Sequence, residues 1–278
     1  MANTLLANSV GGLAAGALST IAMHPLDLTK TRMQISGGNT LKILADLHKE
    51  HGPRGLYRGL GTNLIGGMLG WGFYFAWYGQ IKAWMSRGRT QLSGTEYLIS
   101  SALAGILTSI CTNPIWVVKT RMLTTNRGEQ LAYDNFLDGL QKIARQEGLK
   151  GLYRGLLPSL FGVTHGALQF TLYEMLKNRR ADRSPGTTAT TADFLQLSAA
   201  SKILATVMTY PYQVFRSRLQ VHNVDPSVSV MSTARDVWSS QGMKGFYRGL
   251  TPNLLRVVPA TCITMVVYEQ VNRLVLGQ

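Results

Sequence analysis

The stretch YPYQVFRSRLQ, Tyr210–Gln220, sets a proline at the end of an apolar run and follows it with Arg216 and Arg218. Nearly the same punctuation occurs as HPLDLTKTRMQ, His24–Gln34, and as NPIWVVKTRML, Asn113–Leu123. The three prolines, Pro25, Pro114 and Pro211, stand 89 and 97 residues apart. A second phrase follows each: GPRGLYRG from Gly52, GLKGLYRG from Gly148 and GMKGFYRG from Gly242. Two phrases recurring three times in one order define an internal repeat, with expected units 1–89, 90–184 and 185–278. Each unit reads as apolar span, proline, cations, short polar helix, YRG, apolar span.

Six stretches have the length and composition of a membrane-spanning helix, about 20 mostly apolar residues. They are Leu5–Met23, Leu60–Ile81, Tyr97–Val118, Leu156–Tyr173, Phe194–Phe215 and Leu250–Val271. Small residues four apart, such as Gly12 with Gly16 and Ser101 with Gly105, predict close helix packing in lipid. The 278 residues carry a formal charge of +14, yet only 15% are charged and 45% are hydrophobic. Soluble domains carry about 25% charge, so a membrane fits better than a soluble basic domain. A nucleic-acid-binding protein would spread its cations in a stripe with interleaved aromatics. Here they cluster after the prolines and in the YRG phrases.

Cys111 and Cys262 both lie in apolar runs, and no CxxC or Cys/His cluster exists, so neither a disulfide framework nor a metal site is expected. The N-terminal apolar segment lacks a basic start and reads as the first span rather than a cleavable signal. No nucleophile–base pair, HExxH or P-loop is present. GGLAAG from Gly11 follows no strand and reads as helix packing. No enzyme activity is expected.

The three proline phrases resemble the signature of the mitochondrial carrier family, Pro-x-[Asp/Glu]-x-x-[Lys/Arg]-x-[Lys/Arg], followed by its aromatic-[Lys/Arg]-Gly phrase. The resemblance covers essentially the whole chain. It implies an all-α membrane protein of six transmembrane helices in three pseudo-symmetric repeats, each with a short matrix-side helix. The Lys/Arg excess after the odd spans fits a matrix-facing side.

The resemblance also assigns two gates. At the matrix end the cations are complete, Lys30, Lys119 and Arg216, whereas Asp27 is the sole acid; Trp116 and Gln213 stand in the other two acid positions. An Asp27–Lys119 ion pair and a Gln213–Lys30 hydrogen bond are expected, with Gln34 and Gln220 as braces. At the cytoplasmic end, YEMLK offers Glu174 and Lys177, YEQVN offers Glu269, and YGQIK offers Lys82. Only Glu269–Lys82 is expected to form a full pair there. Thin gates open easily, which permits uniport as well as exchange.

An ionisable residue inside a span is costly and normally faces a cavity. Arg256 lies nine residues after Tyr247, at the family's contact point, and can grip a phosphate bidentately. The corresponding positions are Gly66 with Gly67 and Phe161–Gly162. Lys202 replaces the glycines found nine residues before Pro25 and Pro114. Thr20, Ser109 and Thr206 stand five before each proline and are expected to line the cavity. His165, a lone histidine among apolar residues, reads as a packing residue. Trp71 is placed to stack a planar ring.

Tryptophan in the second signature resembles the branch of the family handling nucleotide-like cargo, and SKILATVMTYPYQVFRSRLQ and FGVTHGALQFTLYE look most like folate/FAD carriers. FAD is therefore the expected cargo, carried rather than held as a cofactor. Folate, NAD and pyrimidine nucleotides fit the same cations. The YRG phrases each begin an even span, where helix N-termini favour phosphate. Gly52, Tyr57, Arg58 and Gly59, with Gly148, Tyr153, Arg154 and Gly155 and with Gly242, Tyr247, Arg248 and Gly249, are expected as cardiolipin sites. The chain is expected to be a monomer with no nucleic-acid partner.

Overall fold

The computed structural model describes residues 2–86, 93–125, 132–183, 191–221 and 228–276. Six long helices dominate: α1 (Ala2–Ser36), α3 (Leu60–Ser86), α4 (Gly94–Thr124), α7 (Leu156–Arg183), α8 (Thr191–Leu219) and α10 (Leu250–Leu276). Three shorter ones, α2 (Thr40–Leu56), α5 (Phe136–Gln146) and α9 (Val230–Gln241), join the members of each pair. Each repeat is thus long helix, short helix, long helix. The even helices begin at Leu60, Leu156 and Leu250, where the expected spans begin. The odd helices run on through Pro25, Pro114 and Pro211. The cations after each proline therefore lie on the last turns of the long helix itself.

The packing pairs repeats with each other: α1 lies along α10, α3 along α4 and α7 along α8. Burial is the reverse of a soluble protein's. Polar His24, Asn113, Gln34 and Gln220 and the Arg121 guanidinium are sequestered, while Leu13, Met68, Phe75, Phe170 and Met208 point outward. Such an inverted distribution suits a hydrocarbon solvent. Among the described helices, α4 is apolar enough to cross a membrane by length and mean hydropathy alone. The others carry glycines, serines or signature cations within the same length. Gly105 meets Val163 of α7 and Ser101 bonds Tyr74 of α3, as helix packing requires. Gly12 and Gly16 face open space, so the close approach expected there does not occur.

The short helices start on side-chain caps. The carbonyl oxygens of the Asn39 and Asn135 side chains accept from the amides of Leu41 and Asp138, both at 2.9 Å. Ser229 Oγ accepts from the Ser232 amide. Past them the chain turns twice on glycines held at positive φ: Gly52 and Gly59 in repeat one, Gly148 and Gly155 in repeat two, Gly242 and Gly249 in repeat three. That backbone region disfavours any side chain. The second turn launches each even helix. Between the two turns lie the break in α2, the short α6 (Gly148–Leu152) and a 3-10 turn at Gly242–Tyr247.

A threefold set of ties holds this end together. The residue before each signature proline reaches the YRG phrase of its own repeat. His24 Nε2 donates to the Arg58 carbonyl at 2.8 Å, and Tyr210 Oη to the Arg248 carbonyl at 3.1 Å. Asn113 Nδ2 donates to the Leu152 and Arg154 carbonyls at 2.9 and 3.3 Å. Tyr57 stacks on His24 and Tyr247 on Tyr210. A second set links one repeat to another through the last signature arginine. Arg32 Nε donates to the Leu123 carbonyl (2.9 Å), Arg121 Nε to that of Gln220 (3.1 Å) and Arg218 Nε to that of Gln34 (3.2 Å). The ring of three repeats is therefore closed by three arginines, each at the C-terminal turn of an odd helix, where carbonyls lack helical partners.

Candidate functional site

A cavity of about 380 Å³ lies among the long helices, above this tied end. Its lining includes Thr20, Asp27, Lys30, Gln34, Gly67, Trp116 and Lys119, and from the third repeat Gln213, Arg216, Gln220 and Arg256. All of these belong to the expected substrate or gate sets. Asn63, Ser19 and Tyr212 join them without having been anticipated. Four cations, Lys30, Lys119, Arg216 and Arg256, face one carboxylate, Asp27. The floor carries a formal surplus of three positive charges on half-buried side chains that line the cavity.

The expected Gln213–Lys30 bond is present, with Lys30 Nζ donating to Gln213 Oε1 at 2.8 Å. The expected Asp27–Lys119 pair is not. Arg256 Nη1 takes Asp27 Oδ1, and Asn63 Nδ2 donates to Oδ2 at 3.3 Å. Arg256 on α10, not Lys119, is the cation that meets the carboxylate. Lys119 turns instead to Trp116, with Nζ 4.8 Å from the ring centroid, and the Arg216 guanidinium carbon lies 5.4 Å from the same ring. An indole thus occupies the acid's position and offers its π face to two cations. Each such contact contributes about 0.5–2 kcal/mol, less than a well-made buried ion pair resists on losing one partner.

Trp116 is held by neighbours. Its Nε1 donates to Thr112 Oγ1 at 3.2 Å. Gly66 leaves room for its ring: a Cβ there would lie 3.2 Å from Ile115 and 3.5 Å from Trp116. Gly66 therefore packs helix on helix rather than lining the cavity, whereas Gly67 lines it with nothing close by. Gly162 likewise backs onto Tyr212. Phe161 is exposed, Thr206 buried and Ser109 half-buried, and none of the three lines the described cavity. Gln34 and Gln220, the expected braces, are both buried and hydrogen-bonded. Gln34 bonds Tyr210 Oη and Ser217 Oγ, and Gln220 accepts from Thr120 Oγ1 at 2.9 Å.

Two expected residues stand farther from the floor. Lys202 is exposed on α8, several turns before Gln213, with no hydrogen bond or ion pair among the described residues. Trp71, 67% exposed, lies one helical turn beyond Gly67 on the face of α3 that carries Asn63. It stacks on Phe75 and meets Tyr74 edge-on, and Tyr74 stacks on Tyr78. His165 bonds Thr209 Oγ1 at 2.8 Å, a satisfied packing histidine as expected.

At the opposite end, Lys177 pairs with Glu174 of its own helix at 3.7 Å, and Lys82 lies over the Tyr97 ring. The Glu269 side chain lies outside the described residues. An ion pair that spacing did not suggest, Arg180 with Asp193, joins α7 to α8 there. Near the YRG phrases, Tyr57, Arg58 and Gly59 share a cavity of about 490 Å³ with Asn135 and Phe136 at the start of α5. Arg54 lies there too.

Comparison with known proteins agrees with this geometry. The family model described as mitochondrial carrier protein matches residues 2–89, 90–184 and 188–278. A chloroplastic folate transporter of Arabidopsis thaliana is 39% identical over 96% of this chain and 94% of its own. A mitochondrial FAD carrier protein of Saccharomyces cerevisiae is 35% identical, over 95% of each. A mitochondrial nicotinamide adenine dinucleotide transporter of Arabidopsis thaliana is 37% identical over 96% of this chain and 79% of its own. Threefold signatures, six long helices, a cationic cavity among them and these matches lead to one statement: the chain belongs to the mitochondrial carrier family, with six transmembrane helices in three pseudo-symmetric repeats.

Proposed function

We propose that this protein is a multi-pass solute carrier of the mitochondrial inner membrane that moves FAD, or a related flavin, by alternating access through the central cavity. The observation that carries the reading is the charge imbalance of the floor. Four cations and one carboxylate lining one cavity favour a polyanion, because charge held away from bulk water is costly unless paired. A pyrophosphate supplies two negative charges in a form that arginine grips with paired hydrogen bonds. Arg256, reached by way of Asp27, and Lys202 farther up α8 are the groups that hold it. The aromatic face around Trp71 offers a flat apolar surface to an isoalloxazine. No bond is made or broken, and FAD is cargo, not cofactor.

The relative that carries FAD supports a flavin cargo, and the relative that transports NAD supports another nucleotide-like anion at the same cations. The relative that transports folate supports a pteridine with its carboxylates as the second reading, since the same cations and aromatic face serve both. Cardiolipin at the YRG glycines and arginines completes the proposal, supported by the cavity beside Tyr57, Arg58 and Gly59. The working unit is a monomer, with one cavity enclosed by one chain's three repeats.

The test is thermal unfolding of the detergent-purified protein with FAD, FMN, folates, NAD, UTP and ATP, followed by uptake into liposomes. A ligand bound only by the folded state adds about 2.7 kcal/mol of stability at a hundredfold excess over its dissociation constant. A shift with FAD that is lost in Arg256→Ala and Lys202→Ala is the expected result. A shift with NAD or UTP and none with FAD would sink the flavin assignment. An unfolding midpoint indifferent to added cardiolipin refutes the lipid sites.

A further inference from the structure

Lys119 and Arg216 are the two floor cations with no carboxylate or hydrogen-bond partner among the described residues. Lys30 is engaged by Gln213 and Arg256 by Asp27. Both unpartnered cations lie within 5.4 Å of the centroid of the Trp116 ring, one at 4.8 Å and one at 5.4 Å. Beside them Gln220, 1% exposed, accepts from Thr120 through Oε1, and its Nε2 is buried with no acceptor. Two cations and an unspent amide donor line one cavity, whose carboxylate, Asp27, is taken by Arg256. Buried donors of this kind ordinarily find a partner.

We propose that Lys119, Arg216 and Gln220, grouped round Trp116 at the closed end of the cavity, form a second anion subsite that takes one phosphate or carboxylate group. The group fills the place of the gate acid that Trp116 displaces, and comes either from the cargo or from free inorganic phosphate. An oxyanion with N–H···O contacts of about 2.8 Å bridges the ammonium and the guanidinium with charge-assisted bonds. Such bonds are stronger than contacts to an indole face, so the anion wins the cations from Trp116. The matrix end then closes around an exchangeable anion rather than around fixed carboxylates. This deepens the transport reading, on which only the cargo source rests.

The experiment measures thermal unfolding of the purified full-length protein against inorganic phosphate, with chloride balancing ionic strength. Phosphate raises the midpoint of the wild type. Its apparent affinity falls at least about tenfold in Arg216→Gln, which removes one charge-assisted pair. It falls likewise in Trp116→Glu, whose carboxylate fills the subsite from within; that variant carries the test if Arg216→Gln does not fold. Lys42→Gln, exposed on α2 and outside the cavity lining, keeps the phosphate effect. If saturating FAD abolishes the phosphate effect, the cargo supplies the group; if the two effects add, free phosphate does. No phosphate effect in the wild type, or one undiminished in both Arg216→Gln and Trp116→Glu, overturns the subsite. A phosphate effect without any FAD shift overturns the flavin cargo and leaves the subsite standing.

Discussion

Glu147→Gln and Gln241→Glu exchange the chemistry of two equivalent positions and so measure what a charge contributes at the tied end. Arg121 is fully buried. Beyond its bond to the Gln220 carbonyl, its guanidinium grips both carboxylate oxygens of Glu147, Nη2 to Oε2 at 2.9 Å, and Arg154 Nε shares Oε2 at 3.3 Å. In repeat three Arg218 donates instead to the neutral Gln241 Oε1 at 2.8 Å. Breaking a buried pair by removing one partner costs about 3–5 kcal/mol. An amide retains one acceptor, and a hydrogen bond to a charged group is worth about 1.5–3 kcal/mol. Glu147→Gln therefore destabilises by about 2 kcal/mol net. For a chain of 278 residues that lowers the unfolding midpoint by about 3–4 °C. Gln241→Glu gives Arg218 a carboxylate in a half-exposed setting and stabilises by about 0.5–1 kcal/mol. Intrinsic tryptophan fluorescence on heating, with cardiolipin present, reads both. A midpoint for Glu147→Gln within about 1 °C of wild type, or one lowered by Gln241→Glu, refutes the reasoning.

Gly249→Ala meets two obstacles, a φ of +80° and a Cβ only 2.8 Å from the Lys30 carbonyl, whereas Gly242→Ala meets only a φ of +59° in open space. The first is expected to cost about 2–4 kcal/mol and the second about 1 kcal/mol, compared by thermal unfolding. Gly66→Ala presses on Ile115 and Trp116 and lowers stability by about 1 kcal/mol, while Gly67→Ala, with open space on α3, raises it by about 0.5–1 kcal/mol. On α5, the Lys142 hydrogen bond at 2.9 Å and the Asp134 amide hold the Asp138 carboxyl below its ordinary range. A depressed folded value stabilises in full above the ordinary carboxylate range and is lost as pH falls through the lower value. Asp138→Asn should thus melt below wild type at neutral pH, and the gap should close below about pH 4.

The periodic features of the fold were legible because the chain writes them three times. The starts of α3, α7 and α10 follow from the YRG glycines, and the matrix cations follow from the prolines. The Lys30–Gln213 bond also follows, since both residues occupy signature positions. Asp27 and Arg256 were each singled out, but not as partners. Spacing sets a residue's height along a helix and not which of several long cations reaches a carboxylate first. The ties from His24, Asn113 and Tyr210 were missed because three different side chains do one task. Their shared signal was a donor placed before each proline. Arg180–Asp193 and Arg121–Glu147 join ends of helices through turns that no periodicity describes.

The acceptors that close the ring of repeats are main-chain carbonyls, at Gln34, Leu123 and Gln220. A carbonyl oxygen is present whatever side chain its residue bears. Closure is therefore insulated from mutation at those three places, and Leu123, which has no polar side chain, closes as well as the two glutamines. Evolution can thus redraw the cavity floor, replacing an acid by Trp116 or Gln213 to suit a new cargo, without loosening the scaffold that holds it.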